Sequence, residues 1–260
     1  MKKLKGAFPM LCSAAMLLSS PAEALVVQPI SPNIHGKSLT TPIAWGNAYG
    51  TIYAGAAFTT PAPYTDELET AAALGIGIGN PYKNLGLQAT LLAIDLGEFD
   101  DFSLNLHAFR AFGSSSAIGI GVENIFLNET DEWDTDESYY IVFSQSFGGD
   151  ALVNEQTNSS KLHFSIGAGN GRFGNKSGWD IADGKGEHGT YVFGNIAYEL
   201  FNEFNVIADW NGLNLNVGVS KNFLIDNRLP IVITIGAADL TDNSGDGVRL
   251  IAGIGTGFML

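Results

Sequence analysis

Apolar and polar residues alternate one by one along most of this chain. The pattern reads GIGIG at 75–79, LNLHAF at 104–109, IGIGVE at 118–123 and LHFSIGAG at 162–169, and it returns as LNLNVGVS at 213–220 and LIAGIGTGF at 250–258. Successive side chains on a β-strand point to opposite faces. Each segment therefore has one face of Ile, Leu, Val, Phe and Ala and another of Gly, Ser, Thr, Asn and His. The second face is too small and polar to pack a sandwich core. The pattern predicts an all-β chain whose apolar face looks outward to lipid: a single transmembrane antiparallel up-and-down β-barrel.

Twelve strands are expected, over 49–60, 70–79, 85–96, 102–112, 117–127, 138–147, 161–171, 190–201, 204–210, 213–223, 230–240 and 248–260. Most approach the ~9–11 residues that cross a bilayer at a tilt. With the first strand running outward, the inner connections 80–84, 113–116, 202–203 and 224–229 are short, and only 148–160 is long. The outer connections 128–137, 172–189 and 241–247 are longer and polar, with the two-residue Asn211-Gly212 as the exception. Short periplasmic turns and long external loops are a feature of outer-membrane barrels. Tyr139, Phe147, Tyr198, Trp210, Phe223 and Phe258 fall near strand ends in the outward phase, where aromatic girdles sit.

The first residues place this barrel in the cell. Lys2, Lys3 and Lys5 precede the apolar stretch 7–18, and Ala22-Glu23-Ala24 offers an A-x-A cleavage site. The expected organisation is a cleaved signal peptide over 1–24, an irregular periplasmic lead or plug over 25–45, and the barrel over 46–260. Removing the leader takes away three Lys and one Glu and leaves 10 basic against 26 acidic side chains. Nucleic acid is a poor partner for such a surface, since phosphate contacts need clustered Lys and Arg. The single cysteine, Cys12, lies in the leader, which excludes disulfides and thiolate metal sites from the mature chain. No later segment holds 18 consecutive apolar residues, which excludes a helical membrane protein.

The inward phase carries the candidate chemistry. Glu123, Glu199, Asp209 and Arg249 are its charges, and His107, Asn195, Asn214 and Asn216 are polar companions; these eight are the expected pore-lining residues. Carboxylates in a pore favour cations through the field they set. Internal salt bridging, with Arg249 pairing a carboxylate, is the other meaning of the same set. Inward glycines such as Gly75, Gly121, Gly167 and Gly255 can keep the lumen open and can permit tight curvature, two compatible meanings. The acidic segment Asp131-Glu132-Trp133-Asp134-Thr135-Asp136-Glu137 has the oxygen density for Ca²⁺, with Asp131, Asp134 and Asp136 as candidate ligands, but lacks the EF-hand spacing. A solvated anionic loop is its simpler meaning, and no cofactor is called for. For catalysis only His35, His107, His163 and His188 are available, and no GxSxG elbow is present.

Several segments resemble a bacterial family of uncharacterised outer-membrane-type, porin-like barrels. They are Trp45-Gly46-Asn47-Ala48-Tyr49, Gly75-Ile76-Gly77-Ile78-Gly79-Asn80-Pro81, Gly121-Val122-Glu123-Asn124 and Gly167-Ala168-Gly169-Asn170-Gly171-Arg172-Phe173. Ala208-Asp209-Trp210-Asn211-Gly212-Leu213-Asn214-Leu215 and Ala238-Asp239-Leu240-Thr241 also faintly resemble the barrel repeats of YjbH-like exopolysaccharide-secretion proteins. These are turn and wall elements, and the resemblance implies an exported barrel without assigning an activity. The C-terminus departs from the commonest outer-membrane pattern, since Phe258 is followed by Met259 and Leu260. The leading expectation is a narrow, passive, porin-like channel for small polar solutes or cations in the outer membrane of a Gram-negative-type bacterium. Its partners would be outer-membrane lipid and the insertion machinery. A non-conducting structural or export-associated barrel is the alternative, and an outer-membrane hydrolase is the third.

Overall fold

A computed structural model describes residues 35–65, 67–94, 96, 101–126, 137–225 and 229–260. The expected signal peptide, residues 25–34 of the lead, and the candidate calcium residues Asp131, Asp134 and Asp136 lie outside the described residues.

The barrel strands are β1 (Thr51–Thr60), β2 (Glu69–Gly79), β3 (Gly86–Ile94), β4 (Asp101–Phe112), β5 (Ser116–Phe126) and β6 (Ser138–Phe147). They continue as β7 (Leu162–Gly169), β8 (Val192–Phe201), β9 (Phe204–Trp210), β10 (Leu215–Ile225), β11 (Leu229–Ala238) and β12 (Arg249–Met259). Each pairs antiparallel with the next, and β12 closes on β1 from Thr51↔Met259 to Thr60↔Leu250. Twelve strands thus form a closed antiparallel barrel with no free edge. The alternation decides which way each strand faces. On β2, Leu74, Ile76 and Ile78 are exposed while Gly75 and Gly77 are buried. On β7, Phe164, Ile166 and Ala168 are exposed between buried His163, Ser165 and Gly167. An outer wall of exposed Leu, Ile, Val and Phe is at rest only in hydrocarbon, so the strands are the membrane-crossing elements. The alternation slips at Glu123–Asn124, where β5 bulges against β4 and Asn124 takes φ 57°, held by the Asn105 side chain accepting from its backbone N–H.

The connections sort by end. Those at 80–85, 113–115 and 202–203 are short turns, whereas 61–68, 170–191 and 239–248 at the opposite end are long. The 170–191 loop carries a 3₁₀ turn (Gly171–Phe173) and helix α1 (Gly178–Ala182). The long connection at the short-turn end, 148–161, folds into a two-residue hairpin (Val153–Asn154 with Ser159–Ser160) tucked against the barrel mouth. There Asn154 donates to Glu199 and the Phe147 N–H donates to Ser160.

Residues 35–50 run inside the barrel. The segment enters at the short-turn end, where the Gly36 carbonyl accepts from Ser220. It climbs to a turn at 39–41 near the far end of β9, then descends past Ala44 to Asn47 and Ala48 before β1 begins. Lys37, Ala44 and Trp45 on this plug are buried. Ala44, Trp45 and Ile43 pack with Ala111, Ala117, Val142, Phe173 and Phe193 into an apolar cluster within the lumen. The polar interior expected from the alternation is therefore only part of the picture. Phe109, Val142, Phe193 and Ile207 also face inward and are buried, and Val142 and Phe193 cluster with Ala44 and Trp45 of the plug.

Candidate functional site

The charged interior residues are all engaged. Glu123 accepts from Arg172 of the 170–191 loop at 2.5 Å, and Arg172 also donates to the Thr40 carbonyl of the plug. Glu199 accepts from Asn154 and from the Glu203 N–H. Arg249 pairs with Asp239 at 2.5 Å. Asp209 is 1 % exposed and accepts the backbone N–H groups of Leu39 and Thr40 at 3.0 and 2.8 Å, the Thr40 hydroxyl, and the Asn216 amide. It is the anchor of the plug's turn.

The neutral candidates serve the same purpose. Asn195 donates to Thr41, Asn216 donates to Thr40, and Asn214 donates to Asp239 and to the Ser244 carbonyl. His107 lies between the Tyr140 hydroxyl at 2.9 Å and the Ala44 carbonyl at 3.2 Å. Lys37 donates to Asn205 at 2.5 Å, and the Ala44 N–H donates to Ser144. The eight sequence-selected residues therefore lie where the plug and the loops meet β4, β5, β8–β10 and β12. The plug's own side chains and Arg172, which complete these contacts, were not among the expected site residues.

The plug divides the lumen unequally. It makes polar contacts to β3, β4, β6, β8, β9 and β10, touches β2 at Gly77 and β11 at Gly236, and leaves space along parts of β1, β2, β11 and β12. Three cavities follow that wall. At the short-turn end one of about 510 Å³ is lined by Tyr53, Gly55, Ala73, Val232, Gly255 and Gly257, with Trp45 and Asn47 of the plug. A middle one of about 340 Å³ shares Gly55, Ala73, Val232 and Gly255 with it. The third, about 260 Å³, shares Ala57, Ala71, Thr234 and Gly253 with the middle one and reaches Thr59, Glu69, Leu39 and Thr40. These spaces abut through shared lining residues between plug and wall. A separate polar cavity of about 230 Å³ lies across the plug among Gln88, Thr90, Asn105, His107, Glu123 and Tyr140. The groove of about 590 Å³ lined by Ile76, Leu87, Ala89, Leu106 and Ile120 carries mostly outward-facing residues and belongs to the lipid-facing wall.

The inward glycines do two different jobs. Gly75, Gly121 and Gly167 sit directly across from Tyr53, Tyr140 and Phe193, whose rings lie over them, so an added Cβ would collide with a ring. Such glycines seat aromatics and fill the lumen. Gly255 faces space instead: a Cβ there would meet only the Ala54 carbonyl oxygen, at 3.8 Å. Position on the wall separates the open glycine at 255 from those that seat rings.

At the long-loop end one carboxylate ties three loops. Asp180 is buried and accepts from the Tyr64 hydroxyl, the Ser177 N–H and hydroxyl, the Ser244 hydroxyl and the Gly245 N–H, while its own N–H donates to Ser177 in a capping box. Lys185 adds a bond to Asp242 at 2.6 Å. Burial works against ionisation of Asp180, but the bonds from Tyr64, Ser244, Gly245 and Ser177 outweigh it and hold the carboxyl below its usual range. A depressed folded-state pKa stabilises the tie above the unfolded value, ~3.9, and the tie weakens as pH falls through the lower folded value. The Gly245 N–H is thus expected to be protected from hydrogen exchange at pH 7 and to lose protection below about pH 4, after correction for intrinsic rates. Unchanged protection at pH 2–3 would show that the Asp180 charge does not hold the loops.

No protein-family model matches the sequence, and no curated protein matches it. Solved structures of similar fold include outer membrane phospholipase A from Escherichia coli, at 10% identity over 82% of this chain and 97% of that one, with a TM-score of 0.46. A KdgM porin in complex with disordered oligogalacturonate is 11% identical over 81% and 99%, with a TM-score of 0.45. The Salmonella typhi outer membrane phospholipase dimer with bound calcium is 11% identical over 81% and 91%, with a TM-score of 0.43. At these identities the likeness is one of fold. The YjbH-like similarity has no counterpart among these comparisons.

Proposed function

We propose that this chain is an outer-membrane barrel through which small solutes cross passively, by way of the passage beside its plug. The observation that carries this reading is the run of three cavities with shared lining along β1, β2, β11 and β12, from the short-turn end to the long-loop end. The apolar outer wall, the exposed aromatics Tyr139, Phe223 and Phe258 near its rims, and the short-turn/long-loop asymmetry support the outer membrane as its setting. The passage is lined mainly by Gly, Ala, Thr and Val, which suits transit rather than covalent chemistry. The plug favours a second reading, in which the barrel is closed and acts through an export partner.

Liposomes carrying the folded mature chain separate the two. On dilution into isosmotic erythritol they are expected to swell faster than protein-free liposomes. Swelling at the protein-free rate, by protein whose heat-modifiable migration shows a folded barrel, would overturn the channel reading and leave the closed barrel.

A further inference from the structure

The interior charges of this barrel lie away from the three cavities beside the plug, with Glu123 bordering only the separate polar cavity across it. Asp209 and Glu123 are held by the plug and by Arg172, Glu199 by Asn154, and Asp239 by Arg249. Among the described residues, the lining of the middle cavity carries no ionisable side chain. One wall of it is apolar, formed by Ala57, Ala71, Ala73 and Val232, and the plug side offers Gly36 and Ser38. Ionisable lining groups stand only at the ends of the passage, with exposed His35 at one and exposed Glu69 at the other. An ion entering the middle stretch leaves water and meets no fixed countercharge, so its desolvation goes uncompensated. A neutral molecule with hydroxyl groups and a hydrocarbon face loses little there, because it can turn its apolar side to Ala and Val and its hydroxyls to the plug.

Resting on the channel reading above, we infer that the passage selects small uncharged organic solutes bearing hydroxyl groups and excludes ions of the same size. The selection comes from the pairing of the carboxylates that would otherwise have made a cation path: the plug takes up Asp209, and Arg172, Asn154 and Arg249 take up Glu123, Glu199 and Asp239. Position 234 controls it, because Thr234 lines both the middle and the outer cavities, with its hydroxyl 3.5 Å from the Gly253 carbonyl.

The test uses the mature chain in liposomes, with erythritol and potassium chloride as probes. The wild-type protein is expected to admit erythritol at least about tenfold faster than potassium chloride, and Thr234→Asp to raise potassium conductance by about tenfold or more by supplying the missing countercharge. Should Thr234→Asp fail to fold, Ala71→Asp places the carboxylate in the same two cavities. Equal rates for the two probes, both blocked by Gly255→Trp, would overturn the selectivity while the channel stands. A potassium conductance unmoved by a folded Asp variant would overturn it as well. No erythritol entry at all would remove the channel reading on which it rests.

Discussion

Asp209→Ala is expected to enlarge the pore rather than merely weaken the protein. One carboxylate oxygen accepts both the Leu39 and the Thr40 N–H, and the other takes the Thr40 hydroxyl and the Asn216 amide. All four donors point at a residue that is 1 % exposed, so alanine leaves the Leu39 and Thr40 N–H groups and the Thr40 hydroxyl without this acceptor, while the Asn216 amide keeps its bond to the Thr40 hydroxyl. Each buried donor left unpaired costs about 1–3 kcal/mol, so two or three of them weaken the turn's anchoring by roughly 3–6 kcal/mol. At about 1.4 kcal/mol per tenfold, the population with the turn detached rises by roughly 10²–10⁴. The barrel itself keeps its strand pairing, since β9 remains laddered to β8 and β10. Larger and noisier single-channel conductance is the expected readout, with Asp209→Asn intermediate because its amide oxygen still accepts. Conductance and solute size limit unchanged in folded Asp209→Ala would mean that the plug is held elsewhere.

Gly255→Trp is expected to act in the opposite direction. Residue 255 is paired with Gly55 on β1 and Val232 on β11, in the wall shared by the inner and middle cavities. A Cβ there makes only an ordinary van der Waals contact with the Ala54 carbonyl, so the backbone tolerates a side chain. An indole adds a large rigid surface and has nowhere to go but the passage. Solute entry should fall by about tenfold or more, with Gly255→Ala close to wild type. The same change at Gly167 would drive a ring into Phe193, and there the expected result is a folding defect from overpacking.

These two residues also show what the sequence could and could not reveal. The strand number, the outward phase of Leu74, Ile76 and Ile78 and the long-loop end were legible, because a period of two and the turn residues are local signals. Asp209 and Asn216 were legible as inward polar residues. Their partners were not, because Leu39 and Thr40 lie about 170 positions away in an aperiodic stretch with three prolines nearby, and nothing local announces that it enters the lumen. The inward Phe193 and Phe173 depend on that same segment, so the apolar cluster inside the barrel was hidden with it. The sorting of glycines carried a usable signal: Tyr53 facing Gly75 and Tyr140 facing Gly121 share the inward phase, and strand registers would have paired them. Phase alone says which glycines face inward, and only register says which are covered.

The swelling rate of liposomes in erythritol, measured for wild-type and Gly255→Trp protein at equal density of folded barrels, bears most directly on where the open route lies. A passage between the plug and the β1–β2–β11–β12 wall requires rapid swelling with the wild type and a rate near that of protein-free liposomes with the variant. Equal swelling by the two folded proteins would contradict it, and would put the route through some other part of the lumen.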